Sequence, residues 1–253
     1  MSDEEAYRLY AKLNCFNRRL EKTRLFIADC LSRCSNPYVA WSGGKDSTVM
    51  LHLVMEQRPD IPAVCIQSEL DNPDNIEMIE RATKELGVNL ILIHPEASPW
   101  EILEKHGGPF GQVNVASSEL DKKCFYEPIN KAVKEHGFDA AFIGLRAEES
   151  RSRLMNRRVR GLSYRQKAGM QIFTPLADWT GRDIFAYTVT RELPMNKVYS
   201  KTKFHPEPER IREGWWLPGD LSAARGGVVW LKYYYPDKFR ELQERFPEVA
   251  REA

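Results

Sequence analysis

Short apolar runs alternate along this chain with longer stretches whose apolar residues recur every three or four positions. Tyr38–Trp41, Ala63–Gln67, Asn89–Ile93 and Ala140–Gly144 are the short runs and read as buried strands. Helical patterns lie between them: Thr48–Gln57 bounded by Pro59 and Pro62, a helix opened by Asn72-Pro73-Asp74 and stopped by Gly87, Pro99–Lys105, and Glu119–His136 closed by Gly137. In the second of these, Ile76, Ile79, Thr83 and Leu86 mark the expected inner face. Ile172–Pro175 reads as a further strand or edge segment, and Gly181–Glu192 as a helix. Residues 3–34 contain no proline or glycine and predict one or two helices.

Strands alternating with helices imply βαβ crossovers and a mostly parallel sheet. The expected fold is therefore α/β, doubly wound and Rossmann-like, over residues 36–197, with a helical extension over 1–35 and a tail over 198–253. Lys201–Asp220 carries several prolines and the pair Trp215-Trp216, which predicts an irregular tail wrapped on the core, ended by a short helix near Lys238–Phe246.

Composition narrows the function classes. A net charge of +1 leaves no global footprint for nucleic acid or a membrane surface. No apolar run approaches the roughly 20 residues of a membrane span. Met1-Ser2-Asp3-Glu4-Glu5 is acidic and unlike a signal peptide, so a cytoplasmic protein is expected. Cys15, Cys30, Cys34, Cys65 and Cys124 are odd in number and scattered, which fits reduced thiols rather than a disulfide framework.

The chemistry concentrates where the first strand meets the next helix, at Ser42-Gly43-Gly44-Lys45-Asp46-Ser47. Glycines let the backbone approach an anion, and a helix N-terminus offers unpaired N–H groups and partial positive charge. Ser42 and Ser47 add hydroxyls and Lys45 a point charge. The loop is not a Walker A sequence, because Val39 and Asp46 stand where that pattern needs glycine and Ser or Thr. Arg146 and Arg153 follow the Ala140–Gly144 strand on the same side of the sheet and suit bidentate contact with phosphate or sulfate. Past the second strand, Glu69 or Asp71 would hold a ribose or Mg²⁺, or else Asn72 and Asp74 simply start the next helix. Asp178 and Asp183 read as structural helix-start acids.

The hexapeptide resembles the pyrophosphate loop (SGGxDS) of the adenine-nucleotide alpha-hydrolase superfamily. Lys123-Cys124 with Pro128, Lys131 and Ala132, then Gly144-Leu145-Arg146 with Ser150 and Arg153, then Pro175-Leu176 with Asp178-Trp179-Thr180, Asp183-Ile184 and Leu193-Pro194, resemble the phosphoadenosine phosphosulfate reductase family within it. The resemblance implies adenine-nucleotide binding by Ser42, Gly43, Gly44, Lys45, Asp46, Ser47, Gln67, Asp71 and Gly144, and catalytic roles for Lys45, Arg146 and Arg153. It also implies Mg²⁺ accompanying ATP, with Asp46 as a ligand. The family's reductases carry a cysteine in the C-terminal tail, whereas no cysteine follows Cys124 here; no C-x-x-C exists, so no iron–sulfur cluster is expected. The intact loop points to a protein that still binds a nucleoside triphosphate, as the small subunit of sulfate adenylyltransferase does in the same superfamily.

From Arg151 to Lys167 there are seven cations (Arg151, Arg153, Arg157, Arg158, Arg160, Arg165, Lys167) and no acid, which suits RNA or DNA as a partner, or is a solvated loop balanced elsewhere. The expected activity is an ATP pyrophosphatase that cleaves Mg·ATP to AMP and pyrophosphate and adenylates an acceptor. The alternatives are a sulfonucleotide reductase using an external thiol, and a non-catalytic ATP-binding module of a nucleic-acid-modifying or defence complex.

Overall fold

A computed structural model describes residues 3–167, 169–203, 208–211 and 221–251. The first part of the chain forms α1 (Asp3–Tyr10), α2 (Asn14–Ser32), β1 (Pro37–Ala40), α3 (Lys45–Met55), β2 (Pro62–Ile66), α4 (Pro73–Leu86) and β3 (Asn89–Ile93). There follow α5 (Pro99–Lys105), α6 (Val113–Leu120), a π-helical turn (Asp121–Tyr126), α7 (Glu127–His136) and β4 (Ala140–Ile143). The remainder forms α8 (Arg151–Arg160), β5 (Ser163–Arg165), β6 (Gln171–Phe173), α9 (Gly181–Thr190), α10 (Leu221–Tyr234) and α11 (Pro236–Arg245).

The six strands make one sheet in the order β3-β2-β1-β4-β6-β5. β1 runs parallel to β2 and β4, β4 runs parallel to β6, and the edge strand β5 is antiparallel to β6. The order reverses between β1 and β4, so the fold is the expected doubly wound α/β sheet. Loops at the carboxyl ends of strands flanking such a reversal bracket the crevice where ligands bind. The loops after β1 and β4 hold Ser42–Ser47 and Gly144–Arg146.

The described chain falls into two compact units, residues 1–65, 74–92 and 133–213, and residues 66–73, 93–132 and 214–253. The first holds most of the sheet around a core that includes Trp41, Met50, Leu53, Phe142, Phe173, Trp179 and Tyr187. Both buried indoles keep their N–H satisfied, Trp41 on Thr48 Oγ1 at 3.1 Å and Trp179 on Thr23 Oγ1 at 2.9 Å, as buried tryptophans require. The second unit has its own cluster, with Trp100, Leu103, Leu231, Leu242 and Phe246 among its members.

Five expectations need correction. β3 is not a buried strand: Asn89 and Leu92 are exposed and the others half-buried, because it lies at the edge of the sheet. The buried face of α4 is Asn75, Met78, Ile79 and Ala82, while Ile76 lies exposed; the helix is rotated so that a polar residue faces inward, which apolar periodicity cannot reveal. The expected Glu119–His136 helix begins at Val113 and passes through the π-helical turn just before Pro128. Proline has no amide hydrogen for the Cys124 carbonyl, and a widened turn absorbs that loss. The basic stretch is the helix α8 and the strand β5 rather than a loop; α8 buries none of its residues, so it shows no apolar face to read. The tail is not irregular throughout. Beyond the expected α11 it forms α10, whose Val228 and Leu231 are buried, with Tyr235 buried just past its end, after a Gly226-Gly227 pair that hides the pattern. Trp215-Trp216 and most of Lys201–Asp220 lie outside the described residues.

Candidate functional site

The loop leaves β1 at Ala40 and enters α3 at Lys45, with Gly44 at the N-cap position and no side chain capping the helix. Gly43 has φ +74°, a conformation glycine adopts without strain. A Cβ on Gly43 would also lie 2.3 Å from Asn75 Oδ1. A Cβ on Gly144, at the end of β4, would lie 2.7 Å from the Asp46 carbonyl oxygen, so the two strand-end loops touch backbone to backbone. Within the loop the Ser42 amide donates to Ser47 Oγ at 3.2 Å, the two serine hydroxyls lie 3.1 Å apart, and Ser47 Oγ donates to the Gly44 carbonyl at 3.1 Å.

Charge gathers around Asp46. Its Oδ1 accepts from Arg146 Nε, and its Oδ2 lies 3.2 Å from Lys45 Nζ. Lys45 and Arg146 are almost fully buried, at 4% and 2% exposure, which a cation tolerates only when paired. Arg146 Nη1 also pairs with Glu148, whose Oε1 accepts from the Gly181 amide at 2.7 Å. Lys45 Nζ donates to the Ile211 carbonyl at 2.8 Å and sits 4.7 Å from the Tyr199 ring centroid, while its backbone N–H donates to the Tyr199 hydroxyl at 2.8 Å. Each Asp46 oxygen faces a cation, so Mg²⁺ at that carboxylate would share it with Lys45 and Arg146. Among the described residues no group of three or more His, Cys, Asp or Glu gathers to hold a metal.

Loop residues 42–47, Gly144 and Arg146 thus come together as one site. Arg153 stands one layer back: it pairs with Glu149, and Glu149 Oε2 accepts the Arg146 amide at 3.2 Å. Gln67 and Asp71 belong to the second unit. There the Gln67 amide donates to the Ile93 carbonyl at 2.9 Å, and the Asp71 carboxylate accepts the Ser68 amide at 3.0 Å, closing a turn. Asp183 caps α9 through Thr180, and Asp178 accepts two bonds from Arg157 at 2.9 and 2.7 Å, so both serve structure as expected.

Asn75, Glu148, Glu149, Asn196 and Tyr199 escaped the sequence reading. The two glutamates were findable, as the acids nearest two arginines that must be neutralised. Asn75, Asn196 and Tyr199 carry no local signal, because each acts through a partner distant in sequence.

The basic stretch divides in two. Arg153 and Arg157 are ion-paired with Glu149 and Asp178, while Arg151, Arg158, Arg160, Arg165 and Lys167 are exposed, Arg160 lying over the Tyr164 ring at 5.0 Å. Two buried thiols are held away from the thiolate form: burial pushes Cys124 up to about 11 and Cys30 to about 12. No helix among the described residues is long and apolar enough to cross a membrane.

Residues 36–234 match a family model described as a phosphoadenosine phosphosulfate reductase domain. A phosphoadenosine 5'-phosphosulfate reductase of Xanthomonas oryzae pv. oryzae is 31% identical over 160 residues, covering 63% of this chain and 64% of that one, just under two thirds of the relative. Sulfate adenylyltransferase subunit 2 of Rhizobium meliloti is 30% identical over 223 residues, 78% of this chain and 71% of that protein. Among solved structures, phosphoadenylyl-sulfate reductase from Candida auris, in a phosphate complex, aligns with a TM-score of 0.62 at 17% identity, over 87% of this chain and 98% of that one. The FMN adenylyltransferase of Candida glabrata aligns with a TM-score of 0.57 at 14% identity, over 78% of this chain and 64% of that one. At these identities the two structures speak for the fold alone. The sequence match is what carries the assignment: this chain belongs to the phosphoadenosine phosphosulfate reductase domain family.

Proposed function

We propose that this protein binds Mg·ATP at residues 42–47 and cleaves it between the α and β phosphates, releasing pyrophosphate and passing the adenylyl group to water or to an acceptor. The observation that carries the reading is the junction of β1 and α3, where Gly43, the N-terminus of α3, Lys45 and Arg146 converge around Asp46. Donors and cations fixed in a nearly dry setting stabilise charge that develops on a transferred phosphoryl group. In this reading Lys45 and the loop amides hold the phosphates and Arg146 the leaving pyrophosphate. Arg153 acts through Glu149 to keep Arg146 in place. Mg²⁺ arrives as part of the substrate. The similarity to a sulfate adenylyltransferase subunit supports adenylyl transfer. The exposed cations of α8 and β5 would suit an acceptor bearing phosphates, such as RNA or DNA.

A second reading is sulfonucleotide reduction, favoured by the reductases that share about 31% identity with the chain. It would draw on a thiol other than Cys30 and Cys124, which are buried and whose pKa burial pushes up to about 12 and about 11. Anion-exchange analysis of products from Mg·ATP, with and without RNA or DNA, separates the readings. AMP and pyrophosphate are expected from the wild type, with a drop of roughly a hundredfold or more in Lys45→Ala. Undiminished turnover in Lys45→Ala would sink the assignment of that residue. Sulfite release from phosphoadenosine phosphosulfate with thioredoxin, and no AMP from ATP, would replace the first reading by the second.

A further inference from the structure

Tyr199 holds Lys45 at both ends. Its hydroxyl accepts the Lys45 backbone N–H at 2.8 Å, and its ring lies under the Lys45 ammonium. The amide in question is the first of α3, a helix with no side-chain cap, and so is one of the donors an anion would take. Tyr199 is 4% exposed and rides on a short 3₁₀ turn, Lys197–Ser200, capped by Asn196 through the Val198 amide at 2.9 Å. Asn196 in turn donates to Asn75 Oδ1 at 3.2 Å, the atom that packs directly against Gly43. The loop, α4 and the turn thus close a circuit of buried contacts that delivers one neutral oxygen to the mouth of the phosphate loop.

We propose that the Tyr199 hydroxyl occupies the place of a nucleotide phosphate oxygen and yields the Lys45 amide to the incoming anion, which makes Tyr199 a positioning residue of the site. The proposal rests on the nucleotide reading of the loop. A phenol oxygen is a neutral acceptor. A phosphate oxygen is charged and makes a bond about twice as strong, so it displaces the phenol. The hydroxyl meanwhile engages that buried amide, and the ring keeps the ammonium from straying.

Calorimetric titration of the full chain with pyrophosphate and with a non-cleavable α,β-methylene ATP tests this, in wild type and Tyr199→Phe. Phenylalanine keeps the ring and removes the competing oxygen, so pyrophosphate is expected to bind about fivefold more tightly, the worth of one ordinary hydrogen bond. Equal affinity within twofold, or weaker binding, in a folded Tyr199→Phe protein would overturn the assignment. A second measurement needs no variant. In ¹⁵N-lysine-labelled wild type the Lys45 amide resonance is expected to move as pyrophosphate saturates the site, and a fixed resonance at saturation contradicts the exchange of partners. If neither protein binds either ligand, the nucleotide reading fails and this proposal with it. Wild-type binding left unchanged by Tyr199→Phe removes only the role of Tyr199.

Discussion

Replacing Gly43 by alanine tests how tightly the loop is built. The residue sits at φ +74°, where an L side chain costs roughly 1–2 kcal/mol. The added Cβ would then meet Asn75 Oδ1 at 2.3 Å and Ile79 Cγ1 at 3.1 Å. Asn75 is 3% exposed, so its amide cannot swing out into water. Moving it breaks the 3.2 Å bond from Asn196 Nδ2 and strands a donor in a residue only 2% exposed, a loss of about 1–3 kcal/mol. The two effects together come to about 2–5 kcal/mol. Gly137→Ala is the control, because Gly137 has φ +66° with nothing within 4 Å of its would-be Cβ, leaving only the backbone cost of about 1–2 kcal/mol. Urea unfolding of both variants isolates the collision as their difference. In an Asn75→Ala background the penalty of Gly43→Ala should shrink to that of Gly137→Ala, a coupling of at least about 1 kcal/mol. Equal destabilisation by Gly43→Ala and Gly137→Ala, or no coupling to Asn75, would refute the reasoning.

Two further outcomes follow from the charges. Asp46→Asn keeps the shape but removes the anion between Lys45 and the 2%-exposed Arg146. Arg146 retains Glu148, so the loss in urea unfolding should be near the low end for a broken buried pair, about 3 kcal/mol; a loss under about 1 kcal/mol would show that the network does not hold the loop. His52 is held below its ordinary 6.5 by burial, against the pull of Glu56, with Tyr187 hydrogen-bonded to it and Arg24 and Arg191 nearby. A histidine whose folded value is depressed contributes stability that is present above its unfolded value and lost as pH falls through its folded value. Wild-type unfolding free energy should therefore drop as pH descends through and below 6.5, and His52→Gln should flatten that drop; parallel curves for the two proteins would contradict the assignment.

How far this architecture could be read without coordinates depended on where the driving force for each element lay. β1, β2 and β4 were legible because a buried parallel strand is a dense apolar run, and α5 and α9 because proline, glycine or a capping threonine marks their ends. α8 has five arginines and no buried residue, so nothing in its pattern distinguishes it from a solvated loop. α4 shows the opposite failure. Its period was correct, but the inner face is set by Asn75, whose burial depends on a partner 121 positions away.

The same division runs through the site. The residues that would meet an anion were visible, because glycine, lysine and hydroxyls between a strand and a helix have few other uses. What holds them was not. Asp46 reads as a Mg²⁺ ligand by resemblance alone, and its neighbours in the fold are a lysine one position away and an arginine a hundred positions on. That the arginine reaches it depends on β4 lying beside β1, which is a property of sheet order. The Tyr199 hydroxyl and the Ile211 carbonyl reach Lys45 from 154 and 166 positions away, from a part of the chain with no periodicity to announce it. Local chemistry thus marks the loop that the proposed function rests on. The groups that hold Lys45 and Arg146 there come from distant contacts that only the folded chain brings together.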